Sequence, residues 1–124
     1  NLYLTTTIPY VNAEPHIGTA IEFVQADALA RLHRLMGDNV FFNTGTDEHG
    51  QKIYEKAQEN AEDPQVYVDR YAARFKDLKE ALNLSYDNFI RTTDKHHKGA
   101  AQESWNKCMQ SGDIYKKKYK GQGR

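Results

Sequence analysis

The segment LYLTTTIPYVNAEPHIGTAIEFV, residues 2–24, contains a strand-like pattern followed by a helix-like pattern. Residues 2–8 are rich in β-branched and apolar types and then meet Pro9, which predicts a strand followed by a loop. After Pro15, apolar side chains recur every three or four positions, which predicts a helix that ends at Gly37. These side chains are Ile17, Ile21, Val24, Ala28, Leu32 and Leu35.

The alternation of strand and helix continues along the chain. Residues 40–42 begin a second strand, which runs into a loop around Gly45, and a helix starts near Gly50. Asp63 and Pro64 have the side chains of an N-cap and a first helical residue. The helix that they start has one apolar stripe, made of Tyr67, Tyr71, Phe75, Leu78 and Leu82.

The last third of the chain predicts three more elements. Residues 89–90 form a short strand candidate, and Thr93 or Asp94 caps a helix that closes at Gly112. Residues 114–119 are predicted to begin a further strand. This element order predicts an α/β, Rossmann-like parallel sheet with flanking helices, joined by right-handed crossovers. In such sheets ligands bind beyond the carboxyl ends of the strands, so the loops after the first two strands are the candidate site.

Composition limits the functional classes. A chain of 124 residues and 14.3 kDa allows one domain of ordinary size. The 17 basic and 17 acidic side chains cancel, so no global field would draw the whole chain to nucleic acid or to a membrane. One cysteine, Cys108, excludes an internal disulfide and points to the cytoplasm. We also find no signal peptide and no apolar run of about 20 residues, so we expect no membrane association.

The two loops carry the side chains that could do chemistry. His16 and Gly18 lie at the predicted start of a helix, where free backbone N–H groups suit a phosphate. Asp47 follows the second strand, where its carboxylate can pair with an amine. His49 beside Glu48 gives no zinc-like ligand spacing, so no metal site is predicted.

The end of the chain is the one local cluster of positive charge. It can meet a few phosphates, or it can be a strand edge protected by lysines, and the sequence leaves both readings open. The cluster consists of Lys116, Lys117, Lys118, Lys120 and Arg124.

Four segments give the chain a family resemblance. TTTIPYVNAEPHIG, over residues 5–18, resembles the first signature of the class I aminoacyl-tRNA synthetases, the HIGH motif between the first strand and helix of their Rossmann-type domain. FFNTGTDEHGQKI, over residues 41–53, is the more specific match and looks like the corresponding segment of the methionyl-tRNA synthetase family. RTTDKHH at 91–97 and GDIYKKKYKG at 112–121 follow in that family's order. The resemblance covers residues 2–121.

The resemblance implies a methionine pocket. Ile8, Pro9 and Tyr10 match positions that line the side chain of the amino acid, and Asp47 matches the position that receives its ammonium group. An aliphatic chain and an aromatic ring also suit a polarizable thioether.

The resemblance also implies an ATP site. His16 and Gly18 match residues that contact the ATP phosphates and assist catalysis, and Glu22 matches a position near adenine. His49 is expected near the nucleotide or in support of its loop. Thr19 lies at a further position that the resemblance places at the ATP and assigns to catalysis, but it departs from the pattern, because this chain reads HIGT where the family has a second histidine. A hydroxyl cannot become a cation near neutral pH as an imidazole can.

The activity that the resemblance implies is ligation of L-methionine to tRNA(Met), with ATP as a substrate accompanied by Mg²⁺. No KMSKS-like loop, cysteine-rich zinc knuckle or anticodon-binding domain is present in the 124 residues. We therefore expect the first half of a catalytic domain over residues 1–124, with residues 113–124 leading toward a connective insertion, where any zinc would lie. Alone, such a fragment should bind its substrates weakly, and its self-association is left open.

Three other functions compete with this one. A nucleotidyltransferase of the same fold would share an H-x-G-H loop, and another aliphatic amino acid synthetase would share the first signature. A non-catalytic RNA-binding module would use only the basic end of the chain. The segment at residues 41–53 and the HIGT variant count against the first of these, and the same segment counts against the second.

Overall fold

The computed structural model describes residues 1–118, and it confirms the predicted α/β fold. Strands and helices follow in the order β1, α1, β2, α2, α3, β3, α4. Their bounds are Leu2–Thr5, Ile17–Leu35, Val40–Thr46, Gln51–Glu59, Pro64–Ala81, Asn88–Arg91 and Lys95–Gln110. Residues 1–94 form one compact unit and the chain from Lys95 onward forms a second. The prediction of one partial domain over residues 1–124 stays a prediction.

The sheet has β2 at its centre, with β1 and β3 parallel to it on either side. Its register pairs Thr5 with Asn43 at one interface and Thr46 with Arg91 at the other. A Cβ on Gly45 would lie 2.0 Å from the carbonyl oxygen of Ile90, so the close approach of β2 and β3 requires glycine at this position.

One face of the sheet is covered by helices. The strand order moves from β1 to β2 to β3 in one direction, and because connections between parallel strands are as a rule right-handed, α1 and the α2–α3 pair should cover the same face. Leu78 of α3 accordingly packs against the cluster that lies under α1. On the opposite face Tyr3 and Phe41 stack with their ring centroids 5.7 Å apart. Tyr3 is 65% exposed and Phe41 is 47% exposed, so this face is open in the described residues.

The core consists of two apolar clusters. The first lies between α1 and the sheet and contains Phe23, Ala26, Ala30, Val40, Phe42, Leu84 and Tyr86. The second lies around α2 and α3 and contains Val11, Ile53, Ala57, Tyr67, Val68 and Phe75. Leu78 and Phe89 pack against both, so the clusters are continuous.

Helix α1 is present as predicted, but the apolar series that identified it is not its buried face. Ile17 is 79% exposed and Leu35 is 87% exposed, and Ile21, Val24 and Leu32 are also exposed. The buried face instead carries Thr19, Phe23, Ala26, Asp27 and Ala30. Small alanines and one aromatic ring let the helix approach the sheet closely, whereas periodicity alone cannot say which of two faces a sheet covers.

The other elements follow their local signals, with shifted ends. Asp63 caps α3 by accepting from the backbone N–H of Gln65 at 2.8 Å, with Pro64 at the first turn, as predicted. Strand β1 ends at Thr5, earlier than predicted, and β2 continues through Gly45 to Thr46.

The second unit contains α4, and it is described by itself. The helix ends before Gly112, which has a φ of +84°, as the sequence predicted. Residues 113–118 form no strand, which corrects the prediction for residues 114–119, while Tyr119 lies outside the described residues. The side chains of Lys116, Lys117 and Lys118 are exposed, and Lys120 and Arg124 lie outside the described residues. No helix within residues 1–118 has the length and apolar content needed to cross a bilayer.

A buried carboxylate joins α1 to the segment that leads into β3. Asp27 accepts from the backbone N–H of Ser85 at 2.5 Å and from its hydroxyl at 2.6 Å, and Arg31 donates to it at 2.5 Å. Burial raises the pKa of Asp27, but the hydrogen bonds from Ser85 and Arg31 outweigh burial and hold it below 3.8. The folded state therefore favours the charged carboxylate.

We predict that Asp27→Asn lowers the free energy of unfolding at pH 7 by about 1.5 kcal/mol, because charge-assisted hydrogen bonds are lost. A lowered pKa stabilises the fold above the unfolded-state value and ceases to do so as pH falls through the folded-state value. The difference between wild type and variant should therefore shrink below about pH 4 in urea unfolding measured at several pH values. Asp77→Asn, at an exposed site on α3, is the control. A difference that persists undiminished at pH 2 would contradict this account.

Candidate active site

The loop after β1 is held against the end of β2 by backbone hydrogen bonds. The N–H of Asp47 donates to the carbonyl of Pro9 at 2.9 Å, and the N–H of Val11 donates to the carbonyl of Asp47 at 3.3 Å. Tyr10 and Asp47 thus form an isolated parallel bridge beyond the strands. The predicted methionine-pocket residues Ile8, Pro9 and Tyr10 and the predicted ammonium ligand Asp47 are therefore brought together.

The far part of the same loop is anchored by the second core cluster. Val11 is fully buried, and the hydroxyl of Tyr67 donates to the carbonyl of Asn12 at 3.3 Å. Burial, together with a hydrogen bond to Tyr71, raises the pKa of Tyr67 to about 12, so this donor keeps its proton at neutral pH. Glu14 pairs with Arg74 of α3 at 3.0 Å. The loop therefore has a fixed path toward α1.

Tyr10 lies over the start of α2. A Cβ on Gly50 would come 2.4 Å from the phenolic oxygen of Tyr10, and the φ of Gly50 is +137°, a conformation that other residues rarely adopt. Tyr10 is 43% exposed, and Ile8 and Pro9 are partly buried. The partly exposed ring of Tyr10 thus lies on the segment that is bridged to Asp47, with Ile8 two residues before it.

Asp47 is partly buried and has a hydroxyl near it. The Oγ1 atom of Thr92, which follows β3, lies 3.5 Å from Oδ1 of Asp47. Across residues 1–118 no basic side chain forms an ion pair with Asp47. Its carboxylate is therefore available to a cationic ligand. Nε2 of the exposed His49 lies 3.1 Å from the carbonyl oxygen of Thr92, so His49 supports the same loop.

The start of α1 presents a histidine and a glycine as predicted. His16 is the N-cap, and its Nδ1 accepts from the backbone N–H of Gly18 at 3.1 Å. An accepting Nδ1 leaves the proton of a neutral imidazole on Nε2. A Cβ on Gly18 would lie 3.0 Å from the imidazole, so glycine keeps this approach open. The exposed His16 can therefore donate toward an anion that meets the helix start.

Two other predicted residues face inward or already have partners. Thr19 is only 8% exposed and belongs to the buried face of α1. Glu22 accepts from the backbone N–H and from the hydroxyl of Thr7, both at 2.7 Å. It thereby ties α1 to the chain just after β1. Their predicted roles toward ATP stay predictions.

The side chains that join the end of β2 to the end of β3 were not predicted from the sequence. Glu48, which was weighed only as a metal ligand, is 4% exposed and is bound by Arg91, while Thr92 contacts both Asp47 and His49. One signal in the sequence could have predicted this ion pair, because an acidic residue, Glu48, and a basic residue, Arg91, lie at the ends of two predicted strands. Within residues 1–118, no three His, Cys, Asp or Glu side chains lie in an arrangement that could hold a metal ion.

A groove of about 400 Å³ lies near the other end of α1, away from His16. It is lined by Arg31, Arg34, Leu35 and Ser85. Arg31 is paired with Asp27, and Arg34 is paired with Asp87 at 2.8 Å. Since both guanidinium groups have acidic partners inside the fold, the groove does not replace the strand-end loops as the candidate site.

Known proteins are similar to this chain over nearly its whole length. The profile of the family described as "tRNA synthetases class I (M)" matches residues 2–122. The methionine–tRNA ligase of Thermotoga maritima is 51% identical over 119 residues, which are 96% of this chain and 19% of that protein. That of Rhizobium meliloti is 47% identical over 119 residues, 96% of this chain and 23% of that protein. The chain thus spans about a fifth of the length of these curated relatives.

Solved structures agree with the sequence comparison. A crystal structure of Mycobacterium tuberculosis methionyl-tRNA synthetase bound by methionyl-adenylate superposes with a TM-score of 0.90 and 45% identity. The match covers 92% of this chain and 23% of that one. The leucyl enzyme of Agrobacterium radiobacter, in a ternary complex, superposes with a TM-score of 0.83 at 22% identity over 92% of this chain and 15% of its own, which shows a shared fold alone. The predicted family is confirmed: with a family profile across residues 2–122 and relatives about half identical, the chain belongs to the methionyl-tRNA synthetase family of the class I tRNA synthetases.

Proposed function

We propose that the complete protein carrying this chain joins L-methionine to tRNA(Met) in two steps. ATP first activates the amino acid to methionyl adenylate with release of pyrophosphate, and the methionyl group then passes to the terminal ribose of the tRNA. The observation that carries the proposal is Asp47, a partly buried carboxylate that has no basic partner within residues 1–118 and is held beside Tyr10 in a chain of this family.

The methionine end of the site uses the loop after β1. Asp47 binds the ammonium group, while Ile8, Pro9 and Tyr10 contact the thioether side chain. The bridge between Tyr10 and Asp47 supports this assignment, because it holds the backbone segment of the pocket wall directly beside the segment that carries the charge. Holding the amino group leaves the substrate carboxylate free to point toward ATP.

The ATP end uses the start of α1. His16 donates from Nε2 to phosphate oxygens, and Gly18 leaves room for them, while Thr19 adds a hydroxyl and Glu22 faces the adenine end. A methionine carboxylate oxygen forms a bond to the α-phosphorus as the bond to pyrophosphate breaks. Donors that meet the charge developing on the α-phosphate accelerate this step. No protein nucleophile is needed, and Mg²⁺ arrives with the ATP phosphates.

The proposal extends to partners outside the described residues. The tRNA contacts belong to the complete protein, as does any zinc site. We propose the cytoplasm as the place of action, since charged tRNA serves translation there. Self-association of the chain stays a prediction.

We predict that Asp47→Asn weakens binding of a sulfamoyl methionyl-adenylate analogue by about tenfold to a hundredfold, because a charge-assisted bond to the ammonium group is lost. Titration calorimetry on the complete protein measures the affinity. Asp77→Asn on α3 is the matched control and should bind as wild type does. Equal affinity of wild type and Asp47→Asn would show that Asp47 does not receive the ammonium group.

We predict that Thr19→His raises the rate of methionine-dependent ATP–pyrophosphate exchange several-fold, because an imidazole supplies a stronger donor to the phosphates than a hydroxyl does. Since Thr19 is buried, the unfolding midpoint is measured beside the rate. Unchanged or lower activity at an unchanged midpoint would mean that Thr19 already serves this role, or that the position does not limit the rate.

A further inference from the structure

Beyond the first contacts of the proposed site lies a buried ion pair that sequence reasoning did not assign. Arg91, the last residue of β3, donates from Nε to Oε1 of Glu48 at 2.7 Å and from Nη2 to Oε2 at 2.9 Å. The side chain of Glu48 is fully buried, and that of Arg91 is 17% exposed. The pair has the two-point geometry in which arginine binds carboxylates most strongly.

The pair makes further hydrogen bonds. Thr46 donates its hydroxyl to Oε1 of Glu48 at 2.7 Å, and Thr93 donates to Oε2. Arg91 also donates to Asp69 of α3 at 2.5 Å, and this guanidinium holds the pKa of Asp69 below its usual value. A largely buried ion pair held by several hydrogen bonds favours one arrangement of its two backbone segments.

A hydroxyl carries this arrangement to Asp47. The backbone N–H of Glu48 donates to Oγ1 of Thr92 at 2.8 Å, so the Thr92 oxygen acts there as an acceptor. Its own proton is then free to point to Oδ1 of Asp47, which lies 3.5 Å away. The end of β2 is thus joined to the end of β3 in two ways. The side chain of Glu48 binds that of Arg91, and the backbone N–H of Glu48 binds the hydroxyl of Thr92, which also faces Asp47.

We infer that Glu48, Arg91 and Thr92 are positioning residues that aim the Asp47 carboxylate at the substrate ammonium group, and so set selection for an α-amino acid. The inference rests on the proposed role of Asp47 and deepens it. An error of about 1 Å in the placement of a binding group can cost about a hundredfold in rate. Loss of the clamp, the group formed by Glu48, Arg91 and Thr92 behind Asp47, should therefore have a measurable effect.

The test compares two ligands of the complete protein, a sulfamoyl methionyl-adenylate analogue and the same molecule without its α-amino group. The ratio of the affinity for the amino ligand to the affinity for the des-amino ligand is the amino-group preference. It reports the orientation of the Asp47 carboxylate, because all other contacts of the two ligands are the same. We expect Arg91→Lys and Glu48→Gln to lower this preference by about tenfold or more while affinity for the des-amino ligand stays unchanged. Thr92→Val should do the same, and Thr92→Ser, which keeps the hydroxyl, should retain the preference.

Two controls separate positioning from stability. Glu62→Gln breaks the partly exposed pair of Glu62 with Arg70, 3.0 Å apart, and should leave the preference unchanged. The double variant Glu48→Gln/Arg91→Met removes both buried charges together, so its unfolding midpoint should exceed that of Glu48→Gln alone. Its preference should nevertheless stay low, since the clamp is gone.

The outcomes distinguish this inference from the proposed function. Loss of preference in Asp47→Asn but not in Glu48→Gln, Arg91→Lys or the double variant would overturn the clamp and leave the proposed function intact. Retained preference in Asp47→Asn would overturn the role of Asp47 itself. A parallel fall in affinity for both ligands, tracking the unfolding midpoint, would make the ion pair a stabilising element only and would also overturn the inference.

Discussion

The parallel pairing of β2 with both of its neighbours is the constraint on which the other features depend. Because β1 and β3 run in the same direction as β2, their carboxyl ends meet at one edge of the sheet. Asp47 follows the central strand, so one residue can touch the loop after β1 through its backbone and the loop after β3 through its side chain. Only the central strand has a neighbour on each side, so a residue that follows it can reach both adjacent loops.

The opposite charges of Glu48, just after β2, and Arg91, at the end of β3, show how a small fold can fix the orientation of a site residue. Taking Glu48 and Arg91 out of water is costly, and the cost is offset by their two-point pairing and by further hydrogen bonds from Thr46 and Thr93 to Glu48. An apolar pair of similar volume could hold the sheet together as well. It could not donate or accept in the directions that fix the peptide next to Asp47. The polar solution therefore suits a site that must hold a carboxylate in one orientation.

Sequence patterns predicted the order of elements from β1 to α4 because the caps and breakers are local, as Asp63, Pro64 and Gly37 show. They also placed His16, Tyr10 and Asp47 in strand-end loops, since that follows from element order. The buried face of α1 was not predictable, because Phe23, Ala26 and Ala30 are selected by the shape of the sheet and the more apolar series remains exposed. The contact between Glu48 and Arg91 depends on the β2–β3 register, and a separation of 43 positions in the sequence does not reveal that register.

The central claim, that the strand-end loops select and activate methionine, is tested most directly by ATP–pyrophosphate exchange on the complete protein. The assay is run with methionine, leucine, isoleucine and valine at equal concentrations. The account predicts exchange that depends on methionine and is far weaker with the other three amino acids. Exchange that is independent of methionine, or equal with leucine, would contradict it.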